Sequence, residues 1–293
     1  MKQSLMDRIF IIFIYTLLII IMLMVLYPLY FVLIASFSSP QLVLNGDVWL
    51  WPKELSWRGY EKLFQNKEIM QGYGNTILYT VSGTAINVAL TVAAAFPLSR
   101  RNLLGRHWIS GFMVFTMFFS GGLIPTYLLI KQLGLLNTYW VMVLPGAVSV
   151  WNIMLMRTFF QSGLPFELQE AAAIDGCSNL RILWRVVLPL SAPILAVMVL
   201  FYSVGHWNAY FNALIYLSDR DKYPLQLILR EILVQGETKD MVDVSEGSLS
   251  SSVLDVESIK YAIVIVANLP ILILYPFLQK YFNKGVMVGA LKG

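Results

Sequence analysis

Ile9-Phe10-Ile11-Ile12-Phe13-Ile14-Tyr15-Thr16-Leu17-Leu18-Ile19-Ile20-Ile21-Met22-Leu23-Met24-Val25-Leu26-Tyr27-Pro28-Leu29-Tyr30-Phe31-Val32-Leu33-Ile34-Ala35-Ser36-Phe37 carries no charged side chain. About 20 such residues cross the hydrocarbon core of a bilayer as a helix. Lys2 and Arg8 precede the run as they would in a signal peptide, but a cleaved signal has an apolar region of only about 7–15 residues. The run therefore reads as a retained first span, residues 9–37. Further apolar blocks with few charges occupy 73–98, 108–130, 138–160, 193–217 and 258–280, which makes six spans. Backbone amides in hydrocarbon must be paired internally, and no alternating ten-residue barrel pattern is present. The expected fold class is an all-α integral membrane protein with six transmembrane helices. Pro28, Pro97, Pro125, Pro145 and Pro270 are expected to kink spans or mark their ends.

The composition agrees. Of 293 residues 58% are hydrophobic and 13% charged, against about 25% charged in ordinary soluble domains. The net charge of +4 is spread between apolar blocks and forms no basic stripe, which sets nucleic-acid partners aside. Cys177 is the sole cysteine, so there is no internal disulfide and no thiolate cluster for a metal, and the redox compartment stays open. Arg100, Arg101 and Arg106 lie between spans two and three, and Lys280, Lys284 and Lys292 follow span six. Lys and Arg concentrate in cytoplasmic loops, so both termini and the 161–192 connection are expected inside, with Ser36–Gly72 and Ser218–Glu257 outside. Trp49, Trp51, Trp57 and Tyr60 read either as headgroup-level aromatics or as soluble-facing structure. No repeat of 20–50 residues occurs, and Ser245–Ser252 reads as a mobile loop tip.

The connection 161–192 is long for a link between helices, which suggests a task of its own. Pro165 suits a helix N1 position, and Glu167 and Glu170 favour the first turns. Leu168, Ala171, Ala172 and Ile174 give a small or apolar face, and Gly176 is a natural stop. Ser178 or Asn179 can cap a second short helix, Leu180 to Leu188, with Arg181 and Arg185 at i and i+4 and Pro189 ending it.

Glu170-Ala171-Ala172, three residues, Gly176, nine residues, then Val186-Val187-Leu188-Pro189 resembles the EAA loop of binding-protein-dependent ABC importer permeases. Leu164 to Cys177 matches that loop at many positions, just before the fifth span. Val186 departs from it, standing where the family often has Ile. Phe118 to Tyr127, Leu133 to Thr138 and the tail Lys280 to Gly293 resemble the maltose-type sugar permeases, in particular lipoprotein-linked oligosaccharide permeases and an alginate importer permease. The resemblance implies a MetI-like fold in one transmembrane domain, 1–293, with cytoplasmic coupling loop 161–192. It implies a second permease as hetero-partner, two ATPase subunits, an extracytoplasmic solute-binding protein, and a sugar or oligosaccharide substrate in a bacterial cell membrane. The implied ATPase-coupling residues are Glu167, Glu170, Ala171, Ala172, Asp175, Gly176, Arg181, Leu188 and Pro189. Cys177, next to that turn, is expected at the contact or packed beneath it. The chain has no Gly-Lys dipeptide, hence no phosphate-binding loop, so it binds no cofactor itself and ATP with Mg falls to the partners.

Span five contains the most polar and aromatic stretch of any span, Phe201 to Asn212. His206, Trp207, Asn208, Tyr210 and Asn212 could line a substrate path, since polar groups at depth face a bundle interior or water. They could equally bond across helices and pack. Asn87, Asn152 and Asn268 read as packing residues. No span holds a central Asp or Glu to drive an ion-coupled secondary transporter, and no catalytic constellation or metal site is visible. A permease for another solute remains the alternative.

Overall fold

The computed structural model describes residues 5–243 and 251–290, and all regular structure among them is helical. Most of the Ser-rich stretch, residues 245–250, and Lys292 lie outside the described residues. Three helices are long and apolar enough to cross a membrane: Met6–Ser36, Lys67–Ser99 and Glu257–Leu274. Counting each sharply bent helix pair as one span raises the number to five among the described residues. The first, second and sixth expected spans are continuous helices, within Leu5–Ser36, Lys67–Ser99 and Ser251–Ala290.

The other three are broken. The third consists of Arg106–Phe118 and Leu123–Gln132, bent by 111° at Ser120-Gly121-Gly122. Gly122 has φ 84°, a left-handed value that glycine reaches without a Cβ clash. The segment expected as the fourth comprises Trp140–Val143 and Val150–Ser162, parted at Pro145-Gly146, and is not among the five candidate crossings. The segment expected as the fifth comprises Ala192–Trp207 and Phe211–Tyr216, parted at Asn208 to Tyr210, whereas the bent pair counted as a crossing joins Asn179–Leu190 to Ala192–Trp207.

The chain divides into two compact units. The first comprises residues 1–67 and 229–269. There the end of the first helix, Ile34 and Ala35, packs on Val43 and Val48, and Phe31 meets Tyr261 edge-on. Phe37 stacks on Tyr60 at 5.2 Å while Trp49, Trp51 and Trp57 stay exposed. The short helices Pro40–Leu44 and Arg58–Gln65 lie in this stretch.

The second unit comprises 68–228 and 270–293. Among its described residues two apolar cores lie toward opposite ends of Lys67–Ser99. One gathers Tyr79, Ile130, Val141 to Val143, Tyr216 and Leu227. The other gathers Val92, Ala95, Phe96, Leu98, Ile153, Met156, Phe160, Ile182, Val187 and Met198. From Tyr79 to Val92 the helix rises about 20 Å, and the residues it buries in between are Gly83, Thr84, Asn87 and Thr91. At the first end Asn137, in left-handed conformation at φ 56°, accepts the Ser218 and Asp219 backbone N–H groups on Oδ1.

Candidate functional site

The connection 161–192 folds as a helical elbow. Phe166–Ile174 follows Pro165, which stands at the N-cap rather than N1 because its backbone is extended, at ψ 124°. Glu167 occupies the first turn, where the helix dipole favours negative charge. The helix stops at Asp175. Gly176 takes φ 77°, its N–H reaches the Ala173 carbonyl at 3.1 Å, and the Cys177 N–H reaches that of Ala172 at 3.0 Å. These two bonds are the Schellman closure, which needs a left-handed residue after the cap. Nothing lies within 4 Å of a Cβ built at Gly176, so the demand is on the backbone alone.

The elbow's faces differ sharply. Glu167, Glu170, Ala171, Ala173, Asp175 and Gly176 are exposed, and so is Ile174, at 87%. Ala172 and Cys177 are half-buried against the lower core, so these two turn inward while their neighbours turn outward. Gln169 is buried and accepts a 2.6 Å hydrogen bond from Arg100 Nη1, tying the elbow to the end of Lys67–Ser99. Arg100 also lies 4.4 Å over the Phe96 ring, and burial pushes its pKa below the usual arginine value.

Ser178 caps the second limb, accepting the Arg181 N–H at 3.4 Å. That limb begins at Asn179 and runs to Leu190, past the stop expected at Pro189. Proline has no N–H for the carbonyl four residues earlier. The limb contains a π turn at Leu183–Val187, where the Leu188 N–H reaches back to the Leu183 carbonyl, and this widened register accommodates Pro189. Arg181, Arg185 and Pro189 are exposed, Leu188 is half-buried, and Ile182, Leu183 and Val187 anchor the limb in the core. An 82° bend then leads into Ala192–Trp207.

The interval between the two cores is a hydrogen-bonded layer. His206 Nε2 donates to Asn87 Oδ1 at 2.6 Å, and Asn87 Nδ2 donates to the Gly146 carbonyl at 2.7 Å. That carbonyl belongs to the break between Trp140–Val143 and Val150–Ser162, so a side chain supplies the partner that the interrupted helix lacks. Thr91 and Tyr202 share a 2.7 Å hydrogen bond, and Tyr139 donates to Ser82. Gly83 makes room for the imidazole, since a Cβ there would stand 2.5 Å from Cε1 and 2.8 Å from Cδ2.

The five path candidates are not brought together. His206 is held by Asn87, and Trp207 is buried and meets Tyr73 edge-on at 5.6 Å. Asn208 and Tyr210 are exposed at the helix break, where Asn208 Nδ2 bonds the Val204 carbonyl at 2.9 Å. Asn212 is half-buried. Asn87 is the packing residue expected, and Asn268 bonds the Val264 carbonyl in its own helix. The roles of Gly83 and Gln169 were not visible in the sequence, although Gly83 lies one helical turn before Asn87.

The profile of the family described as "Binding-protein-dependent transport system inner membrane component" matches residues 3–288. The chain belongs to this family. Protein LplC of Bacillus subtilis (strain 168) is 40% identical to the permease over 266 residues, 91% of this chain and 89% of LplC. From the same organism, the polygalacturonan/rhamnogalacturonan transport system permease protein YtcP is 40% identical over 289 residues, covering 98% and 99% of the two chains. A chain in the crystal structure of a bacterial ABC transporter involved in the import of the acidic polysaccharide alginate superposes with a TM-score of 0.86. It is 34% identical, with 96% of the permease and 99% of that chain covered. As a family member the permease is a multi-pass membrane transport subunit, not an enzyme.

Proposed function

We propose that the permease forms, with a second and different permease, the membrane path of an ATP-driven importer for a sugar or oligosaccharide. The single observation that carries the mechanism is the elbow. Its outward face presents Glu167, Glu170, Ala171, Asp175 and Gly176, while its inward side is fixed by Gln169 on Arg100 and by Ala172 and Cys177 in the core. A rigid, Schellman-closed helix with acidic and small residues outward suits a cleft on a cytoplasmic ATPase subunit. Closure of that cleft would move the elbow as a body. The movement would reach the spans through Arg100 at the end of Lys67–Ser99 and through the Asn179–Leu190 limb. Arg181, Leu188 and Pro189 belong to the transmitting limb. Two ATPase subunits hold the ATP and Mg, and an extracytoplasmic solute-binding protein delivers the substrate.

Six spans follow when each broken pair, including Trp140–Val143 with Val150–Ser162, counts as one crossing; the whole chain then serves as one transmembrane domain. Broken helices are tolerated at membrane depth where protein or a watery cavity surrounds them. Both termini and the elbow face the cytoplasm of a bacterial cell, and a reporter placed at Gly105 should read as internal. The carbohydrate class rests on the likeness to YtcP and to the alginate transporter. Asn208, Tyr210 and Asn212, at the break in the fifth span, are the path residues best placed to meet a solute, with His206 and Trp207 behind them.

Reconstitution with the partner permease, ATPase and binding protein tests this reading. ATP hydrolysis should rise with a neutral or acidic oligosaccharide and fail to respond to amino acids or metal ions. Glu170→Lys should abolish the response with insertion intact. A response confined to a non-sugar solute would remove the carbohydrate assignment. Uptake driven by an ion gradient without ATP would remove the importer class.

A further inference from the structure

Between the end of Lys67–Ser99 and the root of the elbow lies a cavity of about 440 Å³, lined by Ser99, Arg101, Arg106, Phe160, Gln161 and Gln169. Among the described residues its ionisable lining is Arg101 and Arg106. A third guanidinium, that of Arg100, bonds the lining residue Gln169, while its buried Nε and Nη2 have no acceptor among the described residues. In the contacts described for it Arg106 meets the Arg100 carbonyl at 3.4 Å and the His107 ring at 3.3 Å, neither of them a carboxylate. Buried donors on a cation are normally matched by an acceptor, and the strongest acceptors are anionic.

The surroundings indicate the source of the anion. Arg106 opens the helix Arg106–Phe118, on which Trp108 is 86% and Phe112 69% exposed, one turn apart on one face. Tryptophan beside a cationic cluster at a span end marks the headgroup level, and Phe112 continues toward the hydrocarbon. Basic pockets between membrane helices take phosphate headgroups. We propose that this cavity binds the phosphate headgroup of an anionic phospholipid, with Arg101, Arg106 and Gln161 at the phosphate and acyl chains along Trp108 and Phe112. The lipid then supports the Arg100–Gln169 contact that holds the elbow. The proposal rests on the orientation given above only for the leaflet that supplies the lipid.

The test uses the full-length permease in detergent, with lipid retention read by native mass spectrometry. Phosphatidylglycerol, phosphatidylcholine of the same chains and inorganic phosphate are offered separately and in competition. Each arginine near an anionic headgroup is worth about five-fold in affinity. Wild type should therefore favour phosphatidylglycerol by roughly 25-fold, Arg101→Gln/Arg106→Gln should fall to parity, and Arg101→Lys/Arg106→Lys should keep most of the preference. Equal retention of the two lipids by wild type overturns the proposal even if the glutamine variant fails to insert. Displacement of the lipid by millimolar phosphate assigns the site to a soluble anion, and displacement by docked ATPase subunits assigns it to a partner carboxylate. Either result overturns the lipid. The readout is independent of membrane orientation and of transport, so a wrong topology or substrate class leaves it unchanged.

Discussion

Gly83→Ala should unlock the layer between the two cores. The added Cβ would stand 2.5 Å from His206 Cε1, and the ring must swing away, which breaks its bond to Asn87. Inserting a methyl group into a packed interior costs about 1–3 kcal/mol, and an interhelical hydrogen bond in a membrane protein is worth about 0.6–1.7 kcal/mol. Together these give about 2–5 kcal/mol for Gly83→Ala. His206→Ala loses the same bond and some packing, about 2 kcal/mol. In the double variant the methyl group meets no ring, so its cost should be close to that of His206→Ala alone. The cycle should therefore be non-additive by about 2 kcal/mol or more. Unfolding of the purified permease in mixed detergent, followed by circular dichroism, gives all four corners. Additive effects, or a Gly83→Ala variant as stable as wild type, would refute the close approach and the hydrogen bond together.

Gly176→Val places a β-branched residue at φ 77°, a conformation that costs an L-residue about 1–2 kcal/mol. Transport should fall with normal insertion, and Gly176→Asn should fall less, because asparagine tolerates this region. Cys177 is half-buried with Ala172 against the core, so a membrane-permeant thiol reagent should label it more slowly than a cysteine introduced at exposed Ala173. Equal rates would mean that the turn opens readily. Asp219 bonds Lys222 and the Asp221 N–H, and these contacts hold its carboxyl below the usual range. A depressed pKa contributes stability above the unfolded value and loses it as pH falls through the folded one. Wild type and Asp219→Asn should therefore differ in hydrogen exchange across Ser218–Tyr223 at neutral pH and converge in acid.

The sequence revealed what depends on composition and local geometry. Uncharged apolar runs gave the helices, Gly176 gave the stop, which is left-handed, and of the two candidate caps, Ser178 and Asn179, it is Ser178 that serves. The breaks were hidden because hydropathy is averaged over a window, and Gly121-Gly122, Pro145-Gly146 and Asn208 to Tyr210 barely alter it. Glycine and proline are common in spans, so their presence alone did not mark an interruption. Gln169 stands between acids on a helix that looks surface-bound, yet it is buried on Arg100, 69 positions away. No periodicity links such residues. His206 was read as a path candidate because it is polar and central, and its partner Asn87 lies 119 positions off on another helix.

From Met6 to Tyr30 the first helix leaves every residue exposed except Ile11, which is half-buried. Lipid selects such positions for apolarity and not for shape. Exchanges among Leu17, Ile19, Ile20 and Ile21 should therefore be nearly neutral, while a charge at the centre costs about 2.5–3.5 kcal/mol. Lys67–Ser99 instead buries twelve residues, among them Gly72, Thr76, Gly83, Asn87 and Thr91. There a neighbouring atom fixes size and hydrogen bonding position by position. Homologous chains should consequently drift freely along the first helix within one chemical class, while substitutions at those positions of Lys67–Ser99 should appear in pairs with their contacts.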